Sequence, residues 1–233
     1  MHTDYALMKF FTPEQLKAVY YYIGQLEFVE GVDTFNIDEE LGRDHYYKYK
    51  KNWEYPVPAN VILDFFKDST LPTVMAEYAY PEKIFNGTAS IIRKNGYFRA
   101  HNGPVVGDHV THIMLTPPED YEGGNYCVLI DGEVKKFKLD AGAGITHYAG
   151  LSVEEEEVTK GVKMTLSFVT QSKIRRKTDR DKITRLKWEL GRYAGATLPT
   201  FKSLEDFKHY DLLNKLAEVR NIEREYVDPD SDT

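Results

Sequence analysis

Apolar and polar positions follow two rhythms along this chain. Near its start, Leu16, Val19, Tyr20, Ile23 and Leu26 recur at three- and four-residue intervals, the spacing of one helix face. Thr12-Pro13-Glu14-Gln15 stands just before them. Thr12 can cap the helix, Pro13 suits its first turn and Gln15 completes a capping box, so a helix is expected over about 12–27. Asn60 to Lys67 predicts a second helix, stopped near Asp68-Ser69-Thr70. Residues 30–58 are polar, aromatic and charged, with Pro56 and Pro58, and predict a long excursion over the surface.

From 88 to 172 the rhythm shortens to β-rich runs separated by turn residues. Strands are expected near 88–94, 97–101, 109–115, 125–130, 134–139, 144–148, 152–158 and 162–170. Asp131-Gly132 between two of them is a hairpin signal. Strands this short and this regularly spaced predict a sandwich, barrel or jelly roll. After 172 the helical period returns, with Ile183, Leu186, Leu190 and Tyr193 on one face. A last helix is expected from about Leu204 to Glu225, carrying Leu212, Leu213, Leu216 and Val219, before a frayed acidic tail from Asp228. One contiguous strand block between helical ends predicts a single α+β domain over 1–233, with its core at 88–172 and a helical extension at 173–233.

Composition narrows the function classes. The 233 residues carry a formal net charge of -7, so the total implies no nucleic-acid partner. The basic run Lys173-Ile174-Arg175-Arg176-Lys177 is followed by Asp179, Arg180, Asp181 and Lys182, the mixture of a solvated helix start. Cys127 is the only cysteine, so no intrachain disulfide forms and a reducing compartment is expected. No apolar run approaches membrane-spanning length and residues 1–25 hold no apolar leader segment. The expectation is a soluble, cytoplasmic protein. Aromatic residues make up 13% of the chain, and the Tyr20, Tyr21, Tyr22, Tyr46 and Tyr47 groups suit core and rim packing.

Three segments resemble the prolyl-hydroxylase-like, PKHD-type branch of the Fe(II)/2-oxoglutarate-dependent oxygenases. The first is Tyr80-Pro81-Glu82-Lys83-Ile84-Phe85 followed by Phe98-Arg99-Ala100-His101. The second runs from Leu115 to Gly124 and ends in Tyr121-Glu122-Gly123-Gly124. The third extends without a gap from Asp140-Ala141-Gly142 through Val158-Thr159-Lys160-Gly161 to Thr170-Gln171-Ser172. The resemblance covers roughly 71–190. It implies a double-stranded β-helix, the jelly-roll or cupin-like fold, with flanking N- and C-terminal helices.

That family holds Fe(II) with two histidines and one carboxylate on one face of the metal, leaving positions open for the oxoacid and O2. The resemblance puts the first ligand at His101, the carboxylate at Gly103 and the second histidine at Val153, eight residues before Gly161. One of three ligands is thus present. The basic residue for the oxoacid's distal carboxylate falls on Lys163. Glycine at the carboxylate position also occurs in halogenating members of the superfamily, where halide fills the gap, but Asn102-Gly103-Pro104 equally reads as a turn.

Substitute ligands deserve weighing. His147 lies six residues before Val153 and reaches the site only if the strand shifts. His109 and His112 are three apart on one strand, so at most one shares the interior with His101. Glu154 to Glu157 offer four acids beside the second position, of which two must face one way. Two functions follow. Either the oxygenase fold is kept without iron, as a pseudoenzyme that binds a protein partner or acts as a scaffold, or a divergent Fe(II)/2-oxoglutarate dioxygenase hydroxylates a protein side chain or small molecule. Lys163 should face the interior and need a counter-charge, which an acidic metabolite such as 2-oxoglutarate would supply. The flanking helices suit pairing into a homo-oligomer.

Overall fold

The computed structural model describes residues 5–34, 41–66, 81–102, 106–191 and 210–226. Two antiparallel sheets face one another. The larger runs β1 (Tyr5–Lys9), β11 (Ala143–Tyr148), β7 (His109–Met114), β13 (Val158–Ser172), β5 (Pro81–Arg93), β4 (Trp53–Val57) and β2 (Val29–Glu30), with β8 (Tyr121–Gly123) on the far end of β13. The smaller runs β10 (Glu133–Phe137), β9 (Tyr126–Ile130), β12 (Ser152–Glu155), β6 (Tyr97–Asn102) and β3 (Lys50–Lys51). This is the expected double-stranded β-helix of an α+β protein.

Turn chemistry fixes register where the sequence says it should. Asp131 and Gly132 both have positive φ, 51° and 78°, and pair Ile130 with Glu133 as β9 turns into β10. Helix α1 (Pro13–Ile23) is opened by the capping box: the Gln15 amide donates to Thr12 Oγ1 and the Thr12 amide donates to Gln15 Oε1. Its buried face, Val19 and Ile23, joins a core of Phe10, Phe11, Ile62, Phe66, Leu166 and Phe168 against the outer side of the larger sheet. Helix α3 (Ala59–Phe65) adds Ile62 to it. Tyr20 reaches across and donates its hydroxyl to the Leu115 carbonyl, while Tyr21 stays exposed.

The excursion expected at 30–58 is instead structural. It supplies β3 to the smaller sheet, β4 to the larger one and the short helix α2 (Arg43–Tyr46). Its polar pattern misled because Lys50, Asn52 and Glu54 are buried yet bond to one another: Lys50 Nζ lies 2.7 Å from Glu54 Oε2, and Asn52 Nδ2 donates to Glu54 Oε1 and Ser90 Oγ. The strand core therefore extends beyond 88–172, beginning with β1 and taking β5 back to Pro81.

At the other end, α4 (Lys177–Gly191) and α5 (Tyr210–Tyr226) pack through Ile183, Ile174 and Ile222. The basic run behaves as a solvated helix start, with Arg176 meeting Asp179 and Glu225 and Arg175 meeting Glu82 on the surface. Tyr193, the Asp68-Ser69-Thr70 stop, the acidic tail and the side chains of Leu190, Leu212, Leu213 and Leu216 lie outside the described residues. Among the described residues, no helix is long and apolar enough to cross a membrane.

Candidate functional site

The two sheets enclose a half-open cavity of about 710 Å³. Strand alternation decides what it sees. On β12, Val153 and Glu155 point in, while Glu154 points out towards Arg99 at 3.7 Å. On β7, Val110 and His112 point in, while His109 stacks on Tyr148 with ring centroids 4.9 Å apart. On β13, Ser167 and Val169 line the cavity, and Lys163 shares their parity deeper in.

His101 occupies the cavity wall on β6. Its ring stacks on Phe98, centroids 3.7 Å apart at 10°, and Nδ1 lies 2.8 Å from the Arg99 carbonyl. That bond places the proton on Nδ1 and leaves Nε2 as a lone pair. Burial lowers its pKa, against the opposing pull of the Arg99 carbonyl and of Glu155. Val153 is its direct partner across the β12–β6 ladder. The position that the resemblance assigns to the second histidine therefore faces His101 and presents methyl groups to it. Gly103 lies outside the described residues. The adjacent Asn102 accepts from Ser152 Oγ through its Oδ1.

Among the described residues, no substitute ligand set forms with His101. His147 sits on β11, in the opposite sheet, with both ring nitrogens engaged: Nε2 lies 2.7 Å from the Tyr126 hydroxyl and Nδ1 lies 2.8 Å from the Tyr148 carbonyl. Burial pushes its pKa down to about 4. The strand shift that would bring His147 to the site does not occur. The turn at Ala149-Gly150-Leu151 separates β11 from β12 and sends them into different sheets. Among the described residues, no three His, Cys, Asp or Glu side chains converge as a metal would need. The facial set of the family's iron does not fit the residues found here.

Lys163 is fully buried, and its counter-charge comes from within the chain. Its Nζ donates to Glu155 Oε2 at 2.7 Å. Burial works against ionisation of Glu155, but the charge and hydrogen bond of Lys163 outweigh it and hold the carboxyl below the usual range. The expected acidic metabolite is therefore not needed to neutralise Lys163. Sequence reasoning raised Glu154 to Glu157 only as possible metal ligands; parity could have offered Glu155 as the partner of Lys163, eight residues on.

One residue set was missed as a unit. His112 Nδ1 lies 2.6 Å from Ser167 Oγ, and its ring stacks on Tyr126 with centroids 3.9 Å apart at 8°. Its Nε2 is buried without a hydrogen-bond partner, 3.9 Å from Glu155 Oε2. Burial pushes the His112 pKa down to about 3, so the ring is neutral and that approach is not an ion pair. The sequence signals were the strand positions of His112 and Ser167, but their pairing across β7 and β13 is a tertiary fact.

No family model matches the chain. Sequence relatives do. A PKHD-type hydroxylase of Acaryochloris marina is 30% identical over 92 residues, covering 34% of this chain and 42% of the relative. One of Phenylobacterium zucineum is 34% identical over 110 residues, covering 46% of this chain and 48% of the relative. The chain thus spans less than half the length of these curated relatives. In structure, a 2-oxoglutarate-Fe(II) oxygenase-family oxidoreductase of Burkholderia pseudomallei superposes with a TM-score of 0.56, at 12% identity, over 72% of this chain and 85% of that one. At that identity the likeness speaks to the fold.

Proposed function

We propose that this chain, which belongs by fold and sequence with the 2-oxoglutarate/Fe(II) oxygenases and their PKHD-type branch, keeps the cavity of that superfamily without its iron chemistry. Its role is non-catalytic binding. The observation that carries the reading is the ladder partner of His101. A facial iron site needs a second imidazole there and a carboxylate two residues beyond His101. This chain has Val153 and Gly103. A lone imidazole lacks the chelation and the negative charge that offset the cation's desolvation.

The oxoacid site argues the same way. Lys163 is the one basic residue the resemblance assigns to 2-oxoglutarate, and Glu155 already holds it. An incoming carboxylate would have to displace a buried carboxylate of its own charge.

Incubation of the protein with Fe(II), 2-oxoglutarate and ascorbate in air, followed by quantification of succinate, tests the proposal. Succinate at the level of a protein-free control is expected. Succinate formed over many turnovers overturns the proposal and makes the chain a divergent dioxygenase.

A further inference from the structure

The formal charges around the cavity cancel in pairs. Among the described residues that line it, the charged ones are Lys50, Glu54 and Glu155. Lys50 and Glu54 neutralise each other at 2.7 Å with side chains 6% and 9% exposed. Glu155 is neutralised by Lys163 from behind the wall. His112 and His147 are held neutral by burial. A bound carboxylate would find no unmatched cation on these walls, and a bound ammonium no unmatched anion.

Among the described lining residues, one fully buried polar atom is nevertheless left unmet. His112 Nε2 is buried, has no hydrogen-bond partner, and faces Glu155 Oε2 across 3.9 Å at the edge of the cavity. A buried imidazole nitrogen left open is costly and calls for a partner. Ser167 and the stacked Tyr126 ring fix its direction. Around it the walls are apolar and aromatic: Val110, Val153 and Val169 from the two sheets, with the stacked Phe98–His101 pair opposite.

We propose that the cavity binds a neutral molecule that joins an apolar or aromatic body to an amide or hydroxyl group, with that polar end seated between His112 and Glu155. Such a group serves both atoms. Its N–H or O–H donates to the Glu155 carboxylate, while its oxygen accepts from His112 Nε2–H when Ser167 donates to Nδ1. In the other tautomer His112 Nε2 becomes the acceptor, and an amide NH2, with two donors, serves it and Glu155 together. A cavity of about 710 Å³ accommodates a drug-sized ligand. This inference rests on the proposed iron-free reading, since iron at His101 would call for an oxoacid instead.

Benzamide and benzoate are a matched neutral and anionic probe pair. Both are titrated into the wild-type protein at pH 7.5 and followed by ligand-observed NMR and by the His112 imidazole resonances. Benzamide is expected to bind at least tenfold more tightly than benzoate and to shift the His112 signals. His112→Phe should lose most of the benzamide affinity. Glu155→Gln should admit benzoate by leaving Lys163 unmatched. Wild-type protein that binds benzoate as well as benzamide, or binds neither, overturns the inference whatever the variants do. The iron content of the same sample separates the two failures: benzoate preference in iron-free protein sinks this inference alone, whereas stoichiometric iron sinks the function on which it rests.

Discussion

Val153 stands directly opposite His101 in the β12–β6 ladder, with their side chains on the same face of the smaller sheet. Cross-strand partners hold their Cβ atoms about 5 Å apart, within reach of a shared metal had both been histidine. Two histidines at these positions would therefore converge. On the proposed reading, Gly103→Asp with Val153→His should raise Fe(II) binding well above that of the wild type. Titration of Fe(II) under argon checks this. A double variant that folds but binds no more Fe(II) than wild type would mean that the backbone, and not only the side chains, has left the facial arrangement.

The Glu155–Lys163 pair makes a stability prediction. Both partners are buried, so removing one strands the other. Lys163→Met alone should destabilise the fold by about 3–5 kcal/mol, whereas Lys163→Met with Glu155→Leu should recover most of that loss. Urea unfolding of the three proteins decides. A single variant within about 1 kcal/mol of wild type would contradict the pairing.

Much of this was legible in the sequence and some was not. The Asp131-Gly132 hairpin, the Thr12–Gln15 cap and the strand parity that sends Lys163 inward all follow from local rules, and the structure has them. The strands at Lys50–Lys51 and Trp53–Val57 were illegible because their buried polar residues bond to partners distant in sequence, such as Asn52 with Ser90. The same holds at the site. The resemblance assigns His101, Val153 and Lys163, but Glu155 as the internal counter-ion and His112 as the open nitrogen depend on which strands become neighbours.

Acid should loosen the fold through its buried histidines. Burial pushes His109 and His112 down to about 3 and His147 to about 4. The unfolded chain takes up protons near pH 6.5, while the folded chain resists until far lower. Each of these groups therefore stabilises above its unfolded value, and that contribution is lost as pH falls from about 6.5 towards 3–4. Between pH 7 and 5 the loss should be roughly 2 kcal/mol per histidine. Glu155, also held low, adds to the loss only below the unfolded carboxylate range near pH 4–4.5. Denaturant melts at pH 7 and pH 5 provide the check, and the pH dependence should flatten in His112→Phe. A flat wild-type profile would contradict neutral burial.

Two glycines should respond differently to alanine. Gly132 and Gly161 both have positive φ, 78° and 80°. A Cβ at Gly132 meets nothing within 4 Å, whereas at Gly161 it would lie 2.2 Å from the Asp120 carbonyl oxygen. Gly132→Ala should cost about 1 kcal/mol from backbone conformation alone. Gly161→Ala should cost at least twice that, because Asp120 backbone must move at the β8–β13 junction. Equal melting temperatures for the two variants would contradict the close approach.

The central claim is that the cavity of this jelly roll works without iron. Elemental analysis of protein purified without chelator, then dialysed against Fe(II) under argon, tests it most directly. The account predicts iron far below one equivalent per chain, unchanged by His101→Ala. Near one equivalent of iron, lost in His101→Ala, would contradict it.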